Sequence, residues 1–178
     1  MFGIGRKSLP LHIVAASMAQ VALTPLENPS EEDLSIRQQA VEAGMDPNRF
    51  TLEVIALQTF AMSAAINRER VEGRLKLEKA QPLVHEFLQE VHKRLVETTA
   101  YDLLKLGLEP DDAFEVFLAR AERYSKPGWG HGNPEDIPGF FAEFCGIADS
   151  LVLRQIGWRL TFIRGDLSGD WLKSIKIV

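Results

Sequence analysis

Apolar residues recur along most of this chain at helical spacing, and prolines, glycines and acidic caps cut the pattern into segments. Leu9 to Thr24 reads as a first helix, with Pro10 in its first turn, where the missing N–H is harmless, and Pro25 just past its end. Ser30 with Asp33 three residues on resembles a capping box and opens a second helix, Glu31 to Ala43, which Gly44 should stop. Asp46-Pro47 then caps and starts a long run to about Arg70. Between Phe50 and Ile66 that run holds one charged residue, Glu53, so apolar side chains occupy almost its full circumference. Such a helix has to be buried on most sides.

Gly73 offers a break before a fourth helix, predicted from Pro82 to Leu106. Val84, Leu88, Val91 and Leu95 form one stripe on it, and Glu86, Glu90, Lys93 and Arg94 form the wet face. Pro110, Asp111 and Asp112 open a fifth helix that continues to Tyr124. From Ser125 to Pro138 prolines and glycines exclude regular structure, and a connector that long in a compact domain is usually functional or mobile. Phe140 to Ile163 reads as a sixth, strongly apolar helix; Gly165 and Gly169 bracket a turn, and the Ser174-Ile-Lys-Ile-Val ending could be extended.

The pattern predicts an all-α fold: a single domain over residues 1–178, built as a compact bundle of about six helices, with a long Gly/Pro-rich loop before the last long helix. The first, third and sixth helices are apolar, which is more than a chain of 178 residues is expected to enclose alone. The surplus, around Ala15, Leu57 and Leu151, is expected to meet a second copy or another partner.

Composition supports a soluble globular domain, at 46% hydrophobic and 25% charged. The net charge of −5 argues against a nucleic-acid partner held by phosphate neutralisation. Charge is uneven, however. Glu97 to Asp149 carries 11 acids and 4 bases, whereas Arg154 to Val178 carries 5 bases and 2 acids, so the basic end is expected to lie on the acidic middle. Cys145 stands alone, which excludes an intrachain disulfide and suits a reducing, cytoplasmic setting. Arg6 and Lys7 before Leu9–Ala16 give only a weak leader-like pattern, weakened further by Pro10 and His12. No window is expected to supply the ~20 apolar residues of a bilayer span, and peripheral membrane contact through the first helix, steered by Arg6 and Lys7, is not the favoured reading.

Candidate chemistry is sparse. His85 and His92, seven residues apart, project within about 20° of each other, but no third ligand accompanies them, so no metal is expected. Trp129 and His131 alternate with Gly128, Gly130 and Gly132 in the long loop, where a recognition tip or lid could sit. Arg159 falls on the line of Phe141, Ala148 and Val152 in the sixth helix and therefore needs an acid. Asp102, Glu115 and Asp149 are candidates, and a bridge to Glu53 is the most pointed expectation. The Arg164-Gly165-Asp166 triplet is too short to carry weight. No motif fixes a reaction or demands a cofactor, and none is expected. The favoured expectation is a non-enzymatic interaction or assembly protein, a homodimer using apolar helix faces and the 125–138 loop. The alternative is a small-molecule- or metal-binding bundle with a pocket between helices, possibly an enzyme.

Overall fold

The computed structural model describes residues 6–104, 110–126 and 136–178, and among these the fold is all-α apart from one small ribbon. In order these are β1 (Lys7–Leu9), α1 (Leu11–Glu27), α2 (Glu31–Glu42), α3 (Pro47–Val71), α4 (Leu77–Leu104), α5 (Pro110–Lys126), α6 (Ile137–Phe144), α7 (Leu151–Trp158), a π-helical turn (Arg159–Ile163), α8 (Arg164–Ser174) and β2 (Ile175–Ile177). The Ser30/Asp33 capping box forms in full, and the Asp46 carboxylate accepts from the Asn48 and Arg49 N–H groups at 3.0 and 2.8 Å. Gly44 and Gly73 take positive φ, at 95° and 72°, where each helix hands over to the next segment.

α3 is the partition of the molecule. One side of it, with Leu52, Ile55, Met62 and Ile66, faces a core shared with α1 and α4. The other, with Phe50, Val54, Leu57 and Phe60, faces a core shared with α2, α6 and α7. That is why its sequence is apolar all round: a helix between two cores has no wet face. By length and mean hydropathy alone α3 could cross a bilayer, contrary to expectation, but 83% of the qualifying window is buried in the bundle. A single copy thus covers Ala15 and Leu57, which are 2% and 0% exposed, and leaves Leu151 74% exposed. The apolar surplus lies at the periphery, not on α3.

Several expected boundaries are corrected. Pro25 sits inside α1, leaving the Val21 carbonyl without its helical donor, and Pro82 sits inside α4, which starts earlier at Leu77. The sixth helix is not continuous. Gly146 turns the chain at φ +87°, the Arg49 guanidinium donates to the Phe144 carbonyl at 2.8 Å, and Ser150 caps α7 by accepting from the Leu153 N–H at 3.3 Å. The Arg164 N–H then reaches back to the Arg159 carbonyl, widening one turn, while the Thr161 hydroxyl donates to the Gly157 carbonyl at 2.8 Å. Gly165 and Gly169 do not bracket a turn; both are buried in α8, which they let approach α3 near Ala61 and Arg68. The extended ending forms as β2, parallel to β1 with Lys7 beside Ile175 and Leu9 beside Ile177.

Gly157 is where α7 passes over α6. A Cβ there would lie 3.0 Å from Phe141 Cδ1 and 3.2 Å from Pro138 Cα, and the latter is backbone that cannot step aside. Gly157→Val is therefore expected to cost about 2 kcal/mol, the overpacking outweighing the few tenths gained in helix propensity. Chemical denaturation would measure it, and an unchanged midpoint would show that α6 yields.

Candidate functional site

The residues singled out in the sequence do not converge. His85 is exposed on α4, while His92, two turns along, packs on Phe114 with ring centroids 4.6 Å apart. Among the described residues no group of His, Cys, Asp and Glu is arranged to hold a metal ion. Trp129 and His131, with most of the expected loop, lie outside the described residues.

Glu53 and Arg159 are each paired, but not with one another. Glu53, 4% exposed, accepts from Arg120, with Nε at 3.1 Å from Oε2 and Nη2 at 3.1 Å from Oε1. The Arg120 guanidinium lies 4.1 Å over the Phe144 ring. Arg159 is exposed and donates to Glu32 Oε1 at 2.7 Å. The expected bridge fails because placing Arg159 in line with Phe141 assumed one unbroken helix, and the turn at Gly146 resets that phase. The basic C-terminal segment also chooses a different acid group: Arg159 and Arg164 meet Glu32 and Asp33 in the first turn of α2, not the acidic middle.

That contact marks the end of an open groove of about 590 Å³ between α1 and α8. Met18 and Met62, both 2% exposed, form its floor. Val21 on one wall and Leu167 and Trp171 on the other make it apolar, with Leu167 64% exposed at the rim. Leu167 and Trp171 align because they are four residues apart on α8, with Ile163 a further four back and also exposed.

At the polar end, Arg164 holds three groups together. Its Nη2 donates to Asp33 Oδ1 at 2.6 Å and lies 3.8 Å from Glu32. With the buried Gln58 amide turned so that Nε2 donates to the Ala22 carbonyl at 3.0 Å, its Oε1 accepts from Arg164 Nη1. The Ser30 N–H and hydroxyl donate to Asp33 Oδ2 at 3.0 and 2.6 Å. Burial raises the Asp33 pKa, but the bonds from Ser30 and Arg164 outweigh it and hold the carboxyl below its usual range. This end is therefore a fixed, charged stop to an apolar trough.

Two buried groups near Glu53, Cys145 and Tyr124, are held in their neutral forms. Burial pushes the Cys145 thiol far up, with Glu53 adding to the shift, so it stays protonated. Burial likewise raises Tyr124, whose hydroxyl has no partner among the described residues.

Arg164, Asp33, Gln58 and Leu167 were not marked by the sequence as a site. Asp33 reads as a cap, Arg164 as part of a chance triplet and Leu167 as turn; the one usable signal was the i, i+4 spacing of Ile163, Leu167 and Trp171. The chain matches no family model, no curated protein and no solved structure.

Proposed function

We propose that this chain is a non-enzymatic helical assembly protein that docks a second copy of itself through the groove between α1 and α8. The observation that carries the reading is an exposed apolar pair on one face, Ile163 and Leu167, standing beside an apolar trough floored by methionines. A two-fold axis lets each copy's pair fill the other's trough, since an isologous interface needs a patch complementary to itself. Methionine side chains adapt to such an insert. Binding suits this site better than catalysis because its polar groups, Asp33, Arg164 and Gln58, are already committed to one another.

Light scattering tests it. The native chain is expected at twice its 19.9 kDa mass, and Leu167→Glu at the mass of one chain with an unchanged helical circular-dichroism spectrum, because Leu167 is a rim residue and only the stability added by association is lost. Native protein that stays at single-chain mass across a wide concentration range defeats the reading.

The groove's volume favours a second reading, since about 590 Å³ lies in the range of small-ligand pockets. An apolar molecule with a polar head at Arg164 would then occupy the trough in place of a second copy. Native mass spectrometry separates the two: an adduct on single chains supports the ligand, and an adduct-free dimer supports assembly.

A further inference from the structure

Away from the groove, a basin of about 300 Å³ opens where the β1/β2 ribbon meets the turn between α3 and α4. Its cations are Arg6, Arg74, Lys76, Lys79, Lys173 and Lys176, drawn from segments distant in sequence, and its acids are Glu69 and Glu78. Glu69 is 2% exposed and already neutralised by Arg74, whose Nη2 and Nε donate at 3.0 and 2.5 Å. Glu78 pairs loosely with Lys76 at 3.8 Å, and Lys173 turns to Asp170 at 2.8 Å. Arg6, Lys79 and Lys176 have no ion pair among the described residues.

The chain as a whole carries −5, so this pole reverses the sign of the molecule. Leu75, Leu172, Ile175 and Ile177 supply apolar walls, and a low-dielectric lining concentrates the field of the cations inside the basin. Unpaired like charges held together repel one another, a cost that an anion removes on binding. Lysine ammonium groups lining one basin act as point charges and suit phosphate oxygens, which need no planar fork. The open but compact basin of about 300 Å³ fits clustered phosphates better than a polynucleotide track, which would need an extended basic stripe.

We infer that this basin binds a ligand carrying clustered phosphate groups, either a free polyphosphorylated molecule or the headgroup of a phosphorylated lipid. Pyrophosphate is the soluble probe, and vesicles containing phosphatidylinositol bisphosphate are the lipid probe. Titration calorimetry and flotation of the full chain are expected to show saturable binding that weakens as salt rises. Lys79→Gln with Lys176→Gln is expected to lose about 25-fold in affinity, roughly fivefold per cation. Lys93→Gln, an exposed change about 21 Å along α4 from Lys79, is expected to bind as the native chain does. Lys176 is exposed and Lys79 half-buried, and equal melting temperatures would confirm that the variants fold. Binding of pyrophosphate alone supports the site with a soluble ligand, and binding of vesicles supports it with a lipid. The inference is overturned if neither probe binds at low salt, if the double variant binds like the native chain, or if Lys93→Gln loses as much. Because the basin and the α1/α8 groove share no lining residue, its failure leaves the assembly reading untouched, and the reverse also holds.

Discussion

Glu53→Ala is expected to destabilise the fold by about 3–5 kcal/mol, because removing one partner of a buried ion pair leaves the other without compensation. Glu53 is 4% exposed and takes both Nε and Nη2 of Arg120. The Arg120 side chain is 27% exposed, so it can recover some hydration by swinging outward, which places the expected loss toward the lower end. That swing would also surrender its stacking on Phe144, 4.1 Å away. Glu53→Gln keeps the shape and part of the hydrogen bonding, so a smaller loss is expected. The double replacement Glu53→Met, Arg120→Met should regain much of the loss, since apolar residues of similar volume often replace a buried pair at little cost. Urea denaturation measures all of these, and the midpoint should move while the m-value does not. A Glu53→Ala protein within about 0.5 kcal/mol of native would mean the pair contributes no more than a surface bridge.

That pair also shows what the sequence could and could not disclose. Glu53 stands out as the lone charge in an apolar run, and its burial and need for a partner follow at once. Which arginine answers it does not, because Arg120 lies 67 residues away on α5 and meets it only through the packing of α3 on α5. The choice of Arg159 rested on extrapolating one helical phase from Phe141 onward, across the turn at Gly146. A glycine in an apolar run is compatible with either a helix or a break, and here the break carries a left-handed φ of 87° that the local sequence does not require.

Where local chemistry sets the outcome, the sequence sufficed. Ser30/Asp33 and Asp46-Pro47 place the starts of α2 and α3 because caps act within a few residues. The all-round apolar character of α3 told of burial but not of its cause. Two cores flank it within one copy, so it needs no external cover, whereas the uncovered surface belongs to Leu151, Leu167 and Val21, scattered singly in the sequence. The groove is assembled from α1, the start of α2, α3 and α8. Its polar end is least legible of all, since Arg164 and Asp33 are separated by 131 residues.

Arg164→Met is expected to cost about 3 kcal/mol at neutral pH, and the cost should shrink in acid. Arg164 is 18% exposed and is the donor to both Asp33 Oδ1 and Gln58 Oε1, so its loss strands a carboxylate and an amide oxygen in the interior. The pH dependence follows from the direction of the Asp33 shift. Burial raises that pKa, yet Ser30 and Arg164 together bring it below the unfolded value of about 3.9. A carboxyl depressed in the folded state adds stability that is complete above the unfolded pKa and is lost as pH falls through the folded one. Without Arg164, burial is opposed by Ser30 alone and the depression diminishes, so the variant has less stability of this kind to lose. Denaturation midpoints of the two proteins should thus converge as pH is lowered from 7 to about 3. A gap that stays constant over that range would assign the loss to packing around Met62 and Leu167 and remove Asp33 from the account. Leu167→Glu, in contrast, is expected to change mass and to lose only the stability that association adds, and this contrast separates the groove's polar end, which holds the fold, from its apolar rim, where the proposed second copy would dock.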